Sequence, residues 1–306
     1  MKLNLIYNSE ARNNGTPVYF WHAMKELGLD FNRFLPRGTM PDADFTIWID
    51  DGMDSIKWLP KGPWGYYATD SHLGHDYRRW KSEQADIVWC AQKPFADELK
   101  RDGINAHWVP LAANPVAHPT IGELAEREDG PTRLPKYDWG FVGHLQSPKM
   151  SNRVAFLDDL CSSNKNFRLA FGVFHEDMAR VYHQCRIGVN HAVRDDLNMR
   201  FFELASCGVP QLCDRRMVGL SELGYQEGLH YIGYASKEEA VENISKALSS
   251  NAFNLSIMAK AALTRVRTFD CYTNRVQFML RTINEFHSNS SRSENATERG
   301  VGQLLG

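Results

Sequence analysis

Short apolar runs alternate with helical segments along most of this chain, and few architectures accept that pattern. Leu3 to Tyr7, Asp44 to Gly52, Trp64 to Asp70, Ala85 to Ala91 and His107 to Leu111 each read as a buried strand. Helical stretches from about Thr16 to Leu27 and Pro94 to Arg101 separate them, with another turn of helix at His75 and Asp76. A strand, a helical crossover and a further strand close most readily as a right-handed unit on a parallel sheet. The first half of the chain therefore predicts a doubly wound α/β domain.

A second alternation follows. Strands are expected at Trp139 to Gly143, Phe167 to Val173, Ile187 to Ala192, Val209 to Asp214 and Tyr231 to Tyr234. Helices are expected over Ser151 to Ser162, His175 to Gln184, Asn198 to Gly208 and Ser236 to Leu248, with terminal helices to Phe286. Between the two halves the periodicity lapses, and Pro115, Pro119, Pro131 and Pro135 punctuate a charged stretch. The expected organisation is an N-terminal Rossmann-like domain over 1–115, a linker over 116–137 and a C-terminal Rossmann-like domain over 138–286. Residues 287–306, rich in Ser, Asn, Glu, Arg and Gly, read as a flexible tail.

The 306 residues are enough for two domains, and 43% hydrophobic with 24% charged residues is the balance of a globular chain. A net charge of -2 argues against a general nucleic-acid binder. No apolar run approaches the ~20 residues of a membrane span, and the N-terminal apolar segment is too short for a signal peptide. The six cysteines include no C-x-x-C pair and several fall inside expected strands or helices, as in a reduced, cytoplasmic protein without a zinc site. The sequons at Asn289 and Asn295 carry no meaning without secretion.

Ligands of doubly wound sheets bind beyond the carboxyl ends of the strands. In the first half that rule selects Asp50, Asp51, Asp70, His72 and the loop at Asn14 and Gly15, with His75 and Asp76 as weaker candidates. In the second half the stretch Asn198 to Pro210 stands out. Asn198 is a suitable N-cap and Gly208 a suitable left-handed stop. Phe201, Leu204 and Ala205 would face a core, leaving Arg200 and Glu203 together on the other side near the first turn. A cation, a carboxylate and a helix N-terminus can hold a phosphate and a sugar; the competing reading is an ion pair on a solvated helix face.

Other matches weigh less. Asp42-Ala43-Asp44 has the D-x-D form of a metal-dependent transferase, but it precedes a strand and reads as a turn. Asp158-Asp159 reads as helix surface. Tyr77-Arg78-Arg79-Trp80-Lys81 mixes aromatics and cations, as an acceptor or nucleic-acid contact would, and equally as an amphipathic helix would. No G-x-G-x-x-G follows the first strand, which argues against an NAD-type dehydrogenase.

Taken in order, several segments resemble the GT-B glycosyltransferases, and among them the CgeB-like (spore-maturation-protein-like) branch. They are Asp70-Ser71-His72, Val109-Pro110-Leu111-Ala112-Ala113-Asn114-Pro115, Phe141-Val142-Gly143 with Arg153, Ile187-Gly188-Val189-Asn190, and Met199-Arg200-Phe201-Phe202-Glu203 with Cys207-Gly208. The resemblance covers all but the tail. It implies two Rossmann-like domains facing a cleft, the C-terminal one binding a nucleotide-diphosphate sugar and the N-terminal one the acceptor. The superfamily often carries two glutamates eight positions apart, the second holding the donor ribose. Glu203 matches the second; Asp195 occupies the first position with a shorter carboxylate, against the transferred sugar.

On that reading Gly143, Lys149, Arg153, Asn190, His191, Asp195, Arg200 and Glu203 form the donor side. Gly143 would admit close backbone approach to a phosphate or sugar, and Lys149, Arg153 and Arg200 would neutralise the diphosphate without a metal or other cofactor. Asn14, Gly15, Asp50 and Asp51 lie on the acceptor side. Asp70 or His72 would be the base of an inverting transfer, whereas a retaining one would use His72 to orient the sugar. The acceptor stays open among glycan, protein, lipid, small molecule and modified nucleic acid. The alternatives are a non-catalytic nucleotide-sugar-binding or scaffold protein of the same fold, and another nucleotide-sugar enzyme such as an epimerase.

Overall fold

A computed structural model describes residues 1–7, 14–35, 39–50, 58–128, 135–145, 151–194, 196–249 and 254–302, with side chains described as far as 289. The chain forms two compact units, one of Met1–Val109 with Thr273–Gly306 and one of Pro110–Tyr272.

The first unit is a six-stranded sheet with the order β2-β1-β3-β4-β5-β6, parallel throughout. Its strands are β1 (Leu3–Ile6), β2 (Phe31–Phe34), β3 (Phe45–Ile49), β4 (Trp64–Ala68), β5 (Ile87–Cys90) and β6 (Ala106–Trp108). The central strands β1, β3, β4 and β5 are buried at every position, which is why they read as near-continuous apolar runs, with Asn4 and Thr46 the buried polar exceptions. The sequence reading missed β2, a half-exposed edge strand whose Asn32 and Arg33 break the apolar signal. Helices α1 (Thr16–Glu26), α2 (His75–Ser82) and α3 (Lys93–Arg101) belong to the same unit.

The second unit is a five-stranded parallel sheet with the order β11-β10-β9-β7-β8. It uses β7 (Tyr137–Val142), β8 (Phe167–Ala170), β9 (Cys185–Asn190), β10 (Gln211–Asp214) and β11 (Ile232–Tyr234). Helices α4 (Ile121–Glu128), α5 (Ser151–Ser163), α6 (His175–Tyr182), α7 (Met199–Cys207), α8 (Lys237–Ser249) and α9 (Leu255–Phe269) complete it. Trp139, Phe141, Ile187, Val189 and Leu212 from the strands pack with Phe156, Leu157, Leu160 and Ile244 from the helices in one core. Because β7 lies between β8 and β9, the chain reverses its direction of sheet growth there, and the crevice beyond Val142 and Asn190 is the topological switch point.

Two boundaries differ from the sequence reading. Much of the expected linker is part of the second unit, because Thr120 and Glu123 form a capping box that starts α4. Glu123 Oε2 accepts from the Thr120 backbone N–H at 2.7 Å, and Thr120 Oγ1 accepts from Glu123 N–H at 3.3 Å. Helix α10 (Tyr272–Gly302), expected to close the C-terminal domain at Phe286, clusters from Thr273 onward with the first sheet. Trp89 Nε1 donates to Thr282 Oγ1 at 3.0 Å, and Phe45 meets Phe286 edge to face with Val276, Met279 and Ile283 buried nearby in the same helix. The helix runs on to Gly302 where a flexible tail was expected; the polar stretch holds no proline to stop it.

Among the described residues no helix is long and apolar enough to cross a membrane. The cysteines are all free, five of them buried.

Candidate functional site

The second unit gathers most of its predicted residues at the switch point. Helix α7 begins there, with Asn198 Oδ1 accepting the Phe201 N–H at 3.3 Å and Gly208 closing the helix at φ 68°. The helix is buried from Phe201 to Cys207, so it has no solvated face for an Arg–Glu pair. Arg200, in its first turn, reaches back to β7, donates from Nε to Val142 O at 2.7 Å and lays its guanidinium 4.5 Å from the Phe141 ring centroid. Among the described residues no carboxylate forms an ion pair with it.

Gly143 makes that position possible. A Cβ at 143 would sit 2.3 Å from Arg200 Nη2 and 3.0 Å from the Phe141 ring. The glycine therefore admits a protein guanidinium against the backbone, a more specific reason than the close ligand approach expected from sequence.

Arg153, on α5, is buried and shares the Phe141 ring at 5.6 Å. It donates from Nε and Nη2 to His191 O at 3.2 and 2.9 Å. Burial first, then the Arg200 charge, lowers its pKa to about 10. Two guanidiniums held against one ring repel each other, and an anion between them would relieve that repulsion.

His191 lies just beyond β9, 6% exposed, its ring stacked on Phe156 at 4.3 Å. Its Nδ1 is 2.8 Å from the Tyr234 hydroxyl and 3.7 Å from Asp214 Oδ2. Burial brings its pKa down to about 4, with the Arg216, Arg153 and Arg200 charges acting the same way and Asp214 opposing them. Asp214 is itself clamped by Arg216, whose Nε lies 3.0 Å from Oδ1. Asn190, by contrast, is fully buried with its amide turned to the Met217 sulfur at 3.8 Å, so its side chain serves the core.

Glu203 is 7% exposed, and burial pushes its pKa up to about 7, with Arg200 acting in the opposite direction. Its ion-pair partner among the described residues is His118, whose Nε2 stands 3.5 Å from Oε1, long for a hydrogen bond. His118 is fully buried and accepts the Asn114 backbone N–H at Nδ1, so its proton sits on Nε2 and faces Glu203. Burial drives the His118 pKa down to about 3, so this histidine is neutral and supports the carboxylate only weakly. Among the described residues Glu203 thus has one long contact, to a neutral histidine, and its carboxylate at the edge of the site is suited to accept hydrogen bonds from a diol.

Several residues here escaped the sequence reading. His118 lies in the stretch taken as linker; Tyr182 accepts the Val142 N–H on its hydroxyl at 3.1 Å and shapes the floor. Phe171 and Phe174 are 50% and 37% exposed just past β8, and Gly143 N–H donates to Ala170 O at 3.2 Å, which puts this aromatic rim beside the glycine. Lys149 and Asp195 lie outside the described residues.

In the first unit Asn14 and Gly15 lead into α1, and the Gly15 carbonyl accepts from Val18 N–H at 3.0 Å. Asp50 is buried and accepts from Arg78 Nε at 2.7 Å and from Thr69 N–H at 3.3 Å, so its carboxylate is committed to an internal pair. Asp51 lies outside the described residues. Asp70 is exposed and holds φ 50°, and the half-buried His72 follows it beyond β4. The cations of the Tyr77-to-Lys81 run are spent on the fold. Arg78 pairs with Asp50, Arg79 with Glu83, Glu98 and Asp102, and Lys81 lies 3.2 Å from the Trp48 ring centroid. Asp44 of the D-x-D match accepts the Lys2 backbone N–H at 2.6 Å and anchors the start of β1.

Comparison with known proteins agrees with this layout. Residues 147–281 match the model of a glycosyl transferase-like family. No curated protein gives a significant match by sequence. Among solved structures, a sucrose-phosphate synthase from Thermosynechococcus elongatus superposes with a TM-score of 0.65 at 11% identity, covering 94% of this chain and 99% of its own. HepE of Anabaena, determined with UDP and glucose, gives 0.64 at 10% identity over 93% and 99%. A trehalose-6-phosphate protein of E. coli bound with UDP-2-fluoro glucose gives 0.59 at 10% identity over 92% and 98%. The chain therefore has the two-unit, parallel-sheet α/β fold of the GT-B glycosyltransferases, and the stretch that resembles a glycosyl transferase-like family lies mostly in its second unit.

Proposed function

We propose that the protein is a glycosyltransferase whose second unit binds a nucleotide-diphosphate sugar, with UDP-sugars the first class to test. The observation that carries this reading is the pair Arg153 and Arg200, packed on Phe141 at the switch point with Glu203 behind them. Their two positive charges suit a diphosphate, Glu203 suits the ribose hydroxyls, and the exposed Phe171 and Phe174 suit the face of a base. Solved relatives of the same fold carry UDP or a UDP-sugar analogue, which supports the choice of nucleotide.

Glycosyl transfer passes through an oxocarbenium-like state as the diphosphate leaves. Guanidiniums held in place beforehand stabilise the charge developing on that leaving group. In this proposal they perform the neutralisation, and transfer proceeds without a bound metal. Asp70 and His72 remain the candidates for activating or orienting the acceptor in the first unit, and Asp195 and Lys149 for further donor contacts.

A donor panel tests the reading. Thermal shift and hydrolysis are measured with UDP-, GDP-, ADP- and dTDP-sugars, with and without a chelator. Stabilisation and slow hydrolysis with one nucleotide class, unaffected by chelator, is the expected result. No response to any nucleotide removes the transferase reading, and chelator-sensitive turnover removes its metal-independent form.

A further inference from the structure

We propose that His191 reads a hydroxyl of the sugar carried by the donor, accepting its hydrogen bond at Nε2; this rests on the donor-binding reading above. Tyr234 has one hydroxyl proton and donates it to Asn190 O at 3.2 Å. Its oxygen, 2.8 Å from His191 Nδ1, is then free to accept, so the imidazole proton belongs on Nδ1. Asp214 Oδ2, 3.7 Å from the same nitrogen, favours that placement too.

Nε2 is left as a bare lone pair. It is buried, and among the described residues it has no hydrogen-bond partner. A buried acceptor without a partner costs free energy, and such atoms in native proteins call for a reason. The ring cannot easily turn to relieve it. Phe156 stacks on His191 at 4.3 Å and 17° and on Tyr234 at 5.0 Å and 11°, so the two rings lie side by side on one aromatic floor with Nε2 directed away from Tyr234. The His191 backbone is pinned as well, its carbonyl accepting twice from Arg153.

The chemistry of the occupant follows from the lone pair. Diphosphate oxygens are acceptors near neutral pH and would be repelled, so the partner is a donor. The low pKa of the ring keeps it unprotonated under those conditions. A nucleotide sugar offers hydroxyls on its ribose and on its sugar. The ribose diol is assigned to the carboxylate of Glu203, which leaves a sugar hydroxyl for His191. Tyr234 and Asp214 are positioning residues that fix the tautomer.

Calorimetric titration of UDP and of UDP-glucose, UDP-galactose and UDP-N-acetylglucosamine into the wild-type protein, His191→Phe and Tyr234→Phe tests this. Phenylalanine keeps both stacked rings, and circular dichroism melts check that the variants fold. The wild-type protein should bind at least one UDP-sugar more tightly than UDP. His191→Phe should weaken that sugar about tenfold or more while UDP stays within about twofold, the loss expected for one buried hydrogen bond. Tyr234→Phe should shift in the same direction by less. Equal weakening of UDP and UDP-sugar overturns the proposal, as does a wild-type protein that binds UDP but gains nothing from any sugar. A wild-type protein that does not bind UDP instead refutes the UDP form of the donor reading on which the proposal rests.

Discussion

Replacing Glu203 with glutamine should stabilise the protein in alkaline buffer while leaving it nearly unchanged in acid. The carboxyl group ordinarily ionises near 4.5, and burial raises that to about 7 in the folded chain. Below pH 4.5 the group is protonated in both states and contributes nothing to the pH dependence. Between 4.5 and 7 the unfolded chain releases the proton that the folded chain still holds, so stability falls as pH rises. Above 7 the folded protein carries a buried anion that the Arg200 charge and a neutral histidine 3.5 Å away support too weakly to offset its burial. At ~1.4 kcal/mol for each tenfold change in proton affinity, the full penalty is roughly 3 kcal/mol. Glutamine has the same shape and no proton to lose. Urea unfolding of wild type and Glu203→Gln at pH 5 and pH 8 measures the difference directly. The variant should gain up to about 3 kcal/mol over wild type at pH 8 and much less at pH 5. A variant that is less stable than wild type at pH 8, or a difference independent of pH, would show that the carboxylate is well satisfied in the folded state and would refute this account of Glu203.

Three further outcomes follow from the geometry. Gly143→Ala should push the Arg200 guanidinium off Val142 O and weaken UDP binding about tenfold by calorimetry, with a small drop in melting temperature because the main displaced atoms end a flexible side chain and the buried Phe141 ring, 3.0 Å away, must give only slightly. Asp50→Ala should leave Arg78 charged and buried without its carboxylate, costing about 3–5 kcal/mol in urea unfolding, whereas a surface change such as Asp76→Ala should cost under about 0.5 kcal/mol. Thr282→Val should orphan Trp89 Nε1 and lower stability by about 1–2 kcal/mol; an unchanged unfolding midpoint would mean that the indole finds another acceptor.

The parallel sheets were legible because fully buried strands announce themselves as near-continuous apolar runs, as in Phe45 to Ile49, interrupted by Thr46 alone, and Ile187 to Val189. What escaped was set by context. Edge strand β2 carries Asn32 and Arg33 and needed only half its surface covered. The Thr120-to-Glu123 capping box was present in the sequence and was hidden by the prolines around it. Helix α10 shows an ordinary helical pattern, but nothing local says that it returns to the first sheet; that choice rests on long-range partners such as Thr282 for Trp89. In the site, Arg200 and Gly143 were both singled out, yet their contact joins residues far apart in the sequence and no spacing rule anticipates it. Asp50 shows the converse: its position at a strand end marked it as functional, while a buried arginine on the next-but-one element uses it for the fold.

In the proposed function a nucleoside diphosphate binds on the two guanidiniums of the second unit, Arg153 and Arg200. Calorimetric titration of UDP and of uridine into the wild-type protein and Arg200→Met tests it most directly. Wild type should bind UDP far more tightly than uridine, and Arg200→Met should lose about 10- to 100-fold for UDP, as expected for a charge-assisted contact, with uridine little affected. Equal affinity for UDP and uridine, or undiminished UDP binding by Arg200→Met, would contradict it.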